Sequence, residues 1–463
     1  MGGVADASPP PLTNNNYSLE YFQGPVLAPS RVTALGGAYV ASAEGVEGAA
    51  VNSASPAVRD TFSTAWLDYD LALSASLLAN LSNSELENAG PAERQQQNKT
   101  DGFFELSLGA NVQLGTFGVT ATADLEQFTL SSANSSQQLG MQVGRWKALG
   151  AFALLDGQLI VGGGIRAITL LISPEPGGAA GSLLTMSGIG AEAGALLMPH
   201  DQPWRIGATV RGPVVEGPFG TSTTTTNGVR MAGSFVVPSN VELPWEVEAG
   251  VAYQLGPRPL NPAWINPHDE EAPARARILA DRAERARRRA DELDRVAPDA
   301  RNALRARQAR EENAARALED QYLDAESKRL RAERKARYAN WPREKILILA
   351  SVLVTGPSTN AISLEGFLNQ LYEQVGQSPT FTPRVGIEGE PINNLLRARI
   401  GSYLEPSRYA DGIARQHFTF GGDVRLFPTD LWGIIVPTVL SFGVYADLAP
   451  RYTNGGVAIG VWH

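Results

Sequence analysis

The chain has 463 residues, no cysteine and a net charge of −9. It contains no run of about 18 apolar residues, which excludes a transmembrane helix. A transmembrane β-barrel remains open, because each of its strands needs only about 10 residues with alternating apolar and polar side chains. The length fits two or three soluble domains or one large barrel.

The N-terminal residues divide into two parts. Residues 1–30 contain "SPPPL" and "NNNYS", and this Pro-rich composition predicts an extended, irregular lead-in. No basic region followed by an apolar region is present, so no secretory signal is visible. Residues 31–57, "RVTALGGAYVASAEGVEGAAVNSASPA", carry almost no bulky side chains. Such a stretch cannot build a core of its own and must pack closely against another part of the chain.

From Phe103 onward, apolar and polar residues alternate. In "FFELSLGANVQL", Phe104, Leu106 and Leu108 share one face, and Glu105 and Ser107 share the other. This period predicts strands with one apolar and one polar face. Fourteen strands are predicted, near 62–73, 103–114, 116–128, 139–154, 158–171, 183–198, 204–213, 240–255, 345–355, 382–390, 395–404, 416–427, 434–447 and 453–462.

The connections between these strands distinguish two fold classes. An antiparallel soluble sandwich would show the same alternation. Here short connections alternate with long ones, and the number of strands is even. That pattern is typical of an outer-membrane barrel, with short periplasmic turns and long extracellular loops. We therefore predict an all-β transmembrane fold, a 14-stranded antiparallel barrel.

One predicted turn, between residues 256 and 344, is replaced by a long charged insertion. It is rich in Ala, Arg, Glu and Leu, which are strong helix formers, and Pro298 separates two helices predicted near 272–296 and 298–339. The pair is expected to form a hairpin in the periplasm. Its arginines could suggest nucleic-acid binding, but Arg and Glu alternate along the helices as on a solvated, ion-paired face. We expect no nucleic-acid partner; the hairpin at 268–340 either contacts a periplasmic protein or acts as a spacer.

The small-residue stretch resembles the N-terminal signature of the long-chain fatty acid transporter (FadL-like) family. The matching residues are Arg31, Gly36, Gly37, Ala38, Tyr39, Val40, Ala41 and Asn52. The ending differs, because "NSASPA" separates Asn52 from Pro56 and Ala57. Further along, "PWEVEAGVAYQL", "PRVGIEGEP" and "LLRARIGSYLEPS" resemble family strands in the same order. The charged insertion lies outside the resemblance.

The resemblance implies an organisation for the chain. Residues 31–60 would be a plug inside the barrel lumen, after the lead-in at 1–30. Residues 61–255 would hold strands 1–8, residues 256–344 the helical hairpin, and residues 345–463 strands 9–14. It also implies passive uptake of a hydrophobic compound without a cofactor, and a location in the bacterial outer membrane among its lipids.

Catalytic and metal-binding motifs were sought and not found, so we predict neither catalytic residues nor a metal, and no enzyme. Charged residues on the polar strand faces are expected to line the lumen. They are Asp124, Glu126, Arg384, Glu388, Arg397, Arg399, Asp423 and Arg425. Across neighbouring strands they could brace the plug. The arginines could instead hold a substrate carboxylate.

Two loops carry candidate residues for capturing a hydrophobic ligand. In "ISLEGFLNQLYEQV", Phe367, Leu368, Leu371 and Tyr372 recur at helical spacing, and an exposed helix of this kind would be a landing surface. The alternative is a loop helix packed on its neighbours as a lid. Leu77 and Leu78 in the first loop could supply the opposing wall.

Two functions follow from the sequence. The first is an outer-membrane channel for hydrophobic compounds such as long-chain fatty acids. The second is a non-transporting barrel that anchors an envelope complex through its periplasmic helical arm. Fold resemblance alone does not separate them, because barrels host many functions.

Overall fold

A computed structural model describes residues 9–63, 65–78, 85–89, 98–132, 137–174, 182–219, 223–339, 341–429 and 438–462. Fourteen antiparallel strands close into one barrel, which confirms the predicted fold class. The strands are β1 (Leu67–Leu78), β2 (Asn98–Leu114), β3 (Phe117–Ser132), β4 (Gln138–Leu154), β5 (Leu159–Ser173), β6 (Leu184–Leu197), β7 (Trp204–Arg211), β8 (Glu246–Leu255), β9 (Ile346–Thr355), β10 (Thr380–Ile392), β11 (Leu396–Glu405), β12 (Arg415–Thr429), β13 (Thr438–Ala449) and β14 (Tyr452–Val461).

The alternation in sequence becomes the two faces of the barrel wall. In β5, Val161 and Ile165 point outward and are exposed, whereas Ile160 and Ile168 on the other face are buried. Exposed apolar side chains recur on the outer faces of the other strands, as a lipid-facing band requires. Long loops meet at one end of the barrel, which we call the long-loop end. The opposite end is the short-turn end.

Several predicted strands differ from the observed ones at their ends, and residues 434–437 of the predicted thirteenth strand lie outside the described residues. Two differences, in the first and eighth strands, have a physical reason. The first strand begins at Leu67 rather than near residue 62, because Phe62 and Trp66 contact Tyr338 and His268 of the helical insertion instead. The eighth was predicted as one strand over 240–255 and is broken at Pro244, which has no N–H to donate. Asn240–Leu243 pairs with other loop segments, and only Glu246–Leu255 belongs to the barrel.

The small-residue stretch lies inside the ring of strands. Its helix α1 (Ser30–Ala34) packs on β11, β12 and β13, and a 3₁₀ turn at Ser55–Ala57 packs on β2 to β5. A second short helix, α2 (Gly45–Gly48), packs on β2 and β3. Segments that contact strands all around a closed ring must lie within it. Tyr39, Val40 and Asn52 are accordingly buried.

The charged insertion forms a second compact unit, Phe62–Asp68 with Trp264–Pro342. It contains the helices α3 (Pro267–Asp294) and α4 (Arg301–Ala339), close to the two predicted helices. Their facing sides pair Arg282 with Glu319 at 2.6 Å, and Arg289 with Glu312. Among the residues that the structure describes, no helix is long and apolar enough to span a membrane.

The long loops form further structure of their own. A five-stranded sheet has the order Gln374–Val375, Ala361–Ile362, Ser18–Glu20, Asn240–Leu243 and Val214–Glu216. A separate three-stranded sheet contains Thr224–Thr226, Val229–Ala232 and Phe235–Val236. The loop between β9 and β10 also contains the short helix α5 (Leu364–Asn369). The N-terminal strand is therefore central in a sheet at the long-loop end.

Candidate functional site

The inward face of β3 to β6 changes character along the barrel axis. Cross-strand neighbours near the long-loop end are apolar: Phe128 pairs with Met141, and Met141 with Ile172. One row closer to the short-turn end, Glu126 pairs with Val143, and in the row after that Asp124 pairs with Arg145. We call the buried apolar set the upper apolar wall: Phe128, Leu130, Leu139, Met141, Val143, Ile168, Leu170, Ile172, Leu184 and Met186. Barrel interiors are ordinarily polar, so this wall needs a reason.

The chain's own N-terminus covers the upper apolar wall. Residues 10–23, which we call the N-terminal strap, place Leu12, Tyr17, Leu19 and Tyr21 in the same buried cluster. Phe235, Val236, Phe367 and Leu368 from the long loops complete the cover. The wall and its cover together form one apolar core at the long-loop end.

The strap is held by backbone pairing and by one buried ion pair. Ser18–Glu20 pairs in parallel with Asn240–Leu243 and with Ala361–Ile362. Arg408 donates from Nε and Nη2 to the two carboxylate oxygens of Glu20, at 2.7 and 3.0 Å. Both side chains are almost completely buried. Removing either one would leave the other charge without its partner, away from water.

The lower end of the strap contacts polar groups beneath the apolar wall. The Gln23 amide donates to Glu126 Oε2 at 3.0 Å, and the Tyr21 hydroxyl donates to the same oxygen at 3.3 Å. Arg145 in turn forms an ion pair with Glu126 and donates to the Tyr21 hydroxyl at 3.2 Å. The strap therefore spans an apolar surface and ends in a charged layer.

The predicted lumenal charges form much of that layer. Glu388 is fully buried and accepts hydrogen bonds from Arg31 at 2.9 Å, Arg399 at 2.7 Å and Lys345 at 3.1 Å. Arg399 also donates to Asp423 at 2.5 Å. Because Arg31 belongs to the segment inside the barrel, this cluster joins that segment to the wall.

The remaining predicted charges lie nearby but in separate groups. Arg384 donates to Glu248 at 3.1 Å, and Arg397 donates to Glu390 at 3.2 Å. Asp124 accepts a hydrogen bond from Ser107, and Arg425 lies nearer the short-turn end of β12. Since Arg31, Arg384, Arg397 and Arg399 already bind carboxylates of the chain, a substrate carboxylate would have to compete with them. The contacts favour bracing over substrate binding.

Of the predicted plug residues, Gly36, Gly37, Ala38, Tyr39 and Asn52 are buried, and Arg31 is half-buried. Gly36 has φ +61°, and a Cβ there would lie 2.8 Å from the backbone nitrogen of Ser402. The Asn52 amide donates to Val40 O at 2.8 Å and to Ala195 O at 3.2 Å. The Arg31 guanidinium lies 4.8 Å from the centre of the Tyr39 ring. Gly37 and Ala38 lie between Gly36 and Tyr39 in the chain.

The residues predicted to capture a ligand are not where the sequence suggested. Phe367 and Leu368 are 1% and 0% exposed, so they do not form an exposed landing surface. The helix ends early, because Gln370 adopts φ +54°, and Leu371 and Tyr372 lie beyond it, half-buried. This matches the packed lid instead. Leu77 lies in β1 with its side chain 60% exposed on the outer face, and the side chain of Leu78 is outside the described residues.

Sequence reasoning missed a polar cluster at the long-loop ends of β11, β12 and β13. His417 is fully buried between Asp447, 2.8 Å from Nδ1, and Glu405, 2.6 Å from Nε2. Arg415 binds the same Glu405 at 2.7 Å. Tyr403 stacks on His417 and joins the cluster to the N-terminal segment: its hydroxyl donates to Asp447 at 2.7 Å and accepts from the backbone N–H of Val26 at 3.1 Å. Only strand register brings these residues together.

A pair of buried acids lies in the long loops. Glu87 accepts hydrogen bonds from the backbone N–H groups of Leu364 and Glu365, at 2.8 and 3.0 Å. Burial outweighs these hydrogen bonds and, with the charges of Glu20 and Glu85, raises the pKa of Glu87 to about 8. Burial and the neighbouring Glu87 raise the pKa of Glu365 well above its ordinary value.

Neither a metal site nor a large cavity is found among the described residues. No group of three or more His, Asp or Glu side chains among them is arranged to hold a metal ion. One cavity, of about one water molecule, lies between Pro29 and Val46 on one side and Ser107, Thr122 and Asp124 on the other. It is too small for a hydrophobic ligand.

Comparison with known proteins adds the following. No family model and no curated protein matches the chain. Among solved structures it is similar to the CymD monoaromatic hydrocarbon channel, with 8% identity, 94% of this chain and 96% of that chain covered, and a TM-score of 0.47. It is also similar to a FadL homologue from Pseudomonas aeruginosa, with 9% identity, 98% of each chain covered and a TM-score of 0.46. A third similar structure is the Pseudomonas putida toluene transporter TodX, with 11% identity, 97% of this chain and 98% of that chain covered, and a TM-score of 0.42. Similarity at this level does not identify a function.

Proposed function

We propose that the chain is an outer-membrane channel for the passive entry of hydrophobic compounds such as long-chain fatty acids. The observation that carries this proposal is the upper apolar wall, a buried apolar surface on the inside of a barrel. Such a surface is what a hydrophobic ligand needs, because transfer of apolar area out of water is the driving force for its binding. No cofactor or catalytic group is part of the proposal.

The strap covers this wall, so under this proposal a ligand competes with the strap for the same surface. Leu19, Tyr17 and Leu12 cover the wall, so a ligand has to displace them. Each leucine-sized group that is removed from water contributes about 1.5–3 kcal/mol. A long apolar ligand replaces several such groups with its own, and this offsets the loss of the strap's contacts.

We also propose that residues 31–60 act as a plug that closes the lumen below this site. Two features support it: the segment contacts strands around the ring, and Arg31 is fixed to Glu388 on the wall. Passage to the short-turn end then requires the plug to shift. The role of Arg31 in this proposal is to anchor the plug.

A matched pair of substitutions tests the channel. Met141 faces the lumen in the apolar wall, and its neighbour Gln142 is exposed on the outer face at the same height. We expect Met141→Glu to lower uptake of a long-chain fatty acid into proteoliposomes at least tenfold, and Gln142→Glu to leave it unchanged. Folding of both barrels is checked by their heat-dependent mobility on gels. Unchanged uptake by folded Met141→Glu would contradict the channel.

The alternative is a scaffold that binds a periplasmic protein through residues 268–340. The ion-paired layer between Arg31, Glu388 and Arg399 favours it, because a braced lumen suits a barrel that does not open. If the chain is a scaffold, cells with Met141→Glu should behave like the wild type, and cells with the helical hairpin deleted should show the phenotype of the gene deletion. A channel predicts that Met141→Glu reproduces the phenotype of the gene deletion.

A further inference from the structure

The Arg408 guanidinium, in the loop between β11 and β12, donates to two separate parts of the chain. Nε and Nη2 donate to the two carboxylate oxygens of Glu20 in the N-terminal strap, at 2.7 and 3.0 Å. Nη2 also donates to the carbonyl of Gly356, directly after β9, at 2.8 Å. Nη1 donates to the Ser378 carbonyl at 3.5 Å and to the Thr380 hydroxyl, at the start of β10, at 3.3 Å. All N–H groups of the guanidinium are thereby used.

The barrel holds Arg408 in place without the help of the strap. The acceptors at Gly356 and Thr380 adjoin barrel strands, and the Arg408 carbonyl accepts from the backbone N–H of Gly376 at 2.9 Å. If the strap leaves, the guanidinium therefore stays fixed, with two N–H groups directed into the space of the Glu20 carboxylate. Two parallel N–H groups held in this way match the two oxygens of a carboxylate.

The surroundings of the Glu20 carboxylate fit such a group closely. Gly376 adopts φ +70°, and a Cβ at this residue would overlap Oε2 of Glu20. A larger residue would therefore keep a carboxylate away from Arg408. The side chains of Glu20 and Arg408 are almost completely buried. A charge-assisted hydrogen bond is stronger there than in water.

The strap presents this carboxylate next to an apolar group. Leu19 precedes Glu20 in the strap, and neighbouring side chains of a strand point to opposite faces. Leu19 belongs to the apolar cluster of the wall, whereas Glu20 binds Arg408. The faces of packed sheets lie about 10 Å apart, a distance that a long acyl chain spans. One fatty acid molecule can therefore replace both side chains.

Arg408 differs in one respect from the arginines of the charged layer. The carboxylates that bind Arg384, Arg397 and Arg399 lie on the barrel strands β8 and β10 and remain there when the strap leaves. Glu20 lies on the strap and leaves with it. Arg408 is thus the arginine whose carboxylate partner is removed by the same step that uncovers the upper apolar wall.

We propose that Arg408 binds the carboxylate of a hydrophobic acid, and that Glu20 of the strap is an internal competitor for this site. The transported class is then apolar compounds that end in a carboxylate, in preference to neutral compounds of the same length. The upper apolar wall contributes affinity and Arg408 contributes specificity. This inference rests on the channel proposal, because the ligand reaches Arg408 only when it replaces the strap.

The test compares laurate with 1-dodecanol, which have chains of equal length and different head groups. Their dissociation constants are measured with radiolabelled ligands and the full-length protein in detergent, at a pH that ionises laurate. We expect the wild type to bind laurate about tenfold more tightly than dodecanol, because hydrogen bonds between charged groups are stronger than neutral ones. Glu20→Gln removes the competing charge, so both ligands should bind more tightly and the preference for laurate should stay.

The decisive comparison is between Glu20→Gln and Glu20→Gln/Arg408→Gln. The double variant has two amides at the site, so neither charge is left without its partner. In this variant we expect laurate and dodecanol to bind about equally, because only laurate loses a contact. Arg230→Gln is the control: it removes an exposed positive charge from the long loops, and both dissociation constants should stay at their wild-type values.

Two results would show that Arg408 does not bind the ligand. One is equal affinity for laurate and dodecanol in the wild type, and the other is a laurate preference that persists in the double variant. The channel proposal survives either result if Met141→Glu still weakens the binding of both ligands. If Met141→Glu leaves the binding of both unchanged, the channel proposal and this inference are wrong together.

Discussion

Neutralising Glu388 tests how residues 31–60, the proposed plug, are fixed to the barrel wall. Glu388 is fully buried and binds Arg31, Lys345 and Arg399 within 3.1 Å. In Glu388→Gln, Lys345 loses the carboxylate that it binds, and Arg31 and Arg399 are left with Glu44 and Asp423 respectively. Removing one partner from a buried ion pair costs about 3–5 kcal/mol, because an uncompensated charge is left away from water.

Removing Arg31 instead should lower the free energy of unfolding by a smaller amount. In Arg31→Met, Glu388 keeps Lys345 and Arg399, so the loss is closer to that of charge-assisted hydrogen bonds, about 1.5–3 kcal/mol. Because both substitutions act on one cluster, the double variant should lose less stability than the sum of the two. Glu311→Gln, on an exposed hairpin ion pair, serves as a control expected to have no effect on the barrel transition.

The assay is urea unfolding of the barrel in lipid nanodiscs, followed by tryptophan fluorescence. The predicted order of free-energy loss is Glu388→Gln first, Arg31→Met second and Glu311→Gln last. Equal losses for the first two, or additive losses in the double variant, would refute the idea that Glu388 is the shared anchor.

Three further predictions follow from single contacts. The pKa of Glu87 is raised from 4.5 to about 8, so the folded loops keep a proton that the unfolded loops lose, and their stability falls as pH rises between these values. Glu87→Gln should therefore reduce the pH dependence of the hydrogen-exchange protection factors of the loop amides. A Cβ at Gly162 would overlap the carbonyl of Ser53, so Gly162→Ala should lower the urea midpoint, whereas Gly150→Ala, whose Cβ has 3.8 Å to its nearest neighbour, should not. Glu319→Lys places like charges between the hairpin helices and should reduce circular dichroism at 222 nm, an effect that added salt weakens.

The strands and the hairpin could be predicted because their signals are local. A strand that separates lipid from lumen shows a period of two, and "FFELSLGANVQL" does so clearly. The break of the eighth strand at Pro244 was also a local signal, and the prediction failed to use it. In the same way, "ITLLIS" in β5 places Ile168, Leu170 and Ile172 on one face, which could have indicated the upper apolar wall.

Other features depend on contacts that are distant in sequence. Ser18–Glu20 pairs with segments more than 200 residues away, and its three residues show no periodicity of their own. The spacing of Phe367, Leu368, Leu371 and Tyr372 predicted one helix face, but α5 ends at Asn369 and contains only the first two. It could not tell whether the strap or water would cover that face. The opposed charges of β10 to β12 suggested a network, but the contribution of Arg31 depends on its contact with Glu388, which is 357 residues away in sequence.

The most direct test of the channel proposal is photo-crosslinking with a long-chain fatty acid that carries a diazirine on its tail. The protein is labelled in nanodiscs, digested and mapped by mass spectrometry, with and without the N-terminal strap. The account predicts labels on the inward residues of the upper apolar wall, such as Met141 and Leu170, and more of them when the strap is removed. Labels restricted to outward residues such as Ile165 and Ile189, with or without the strap, would contradict it.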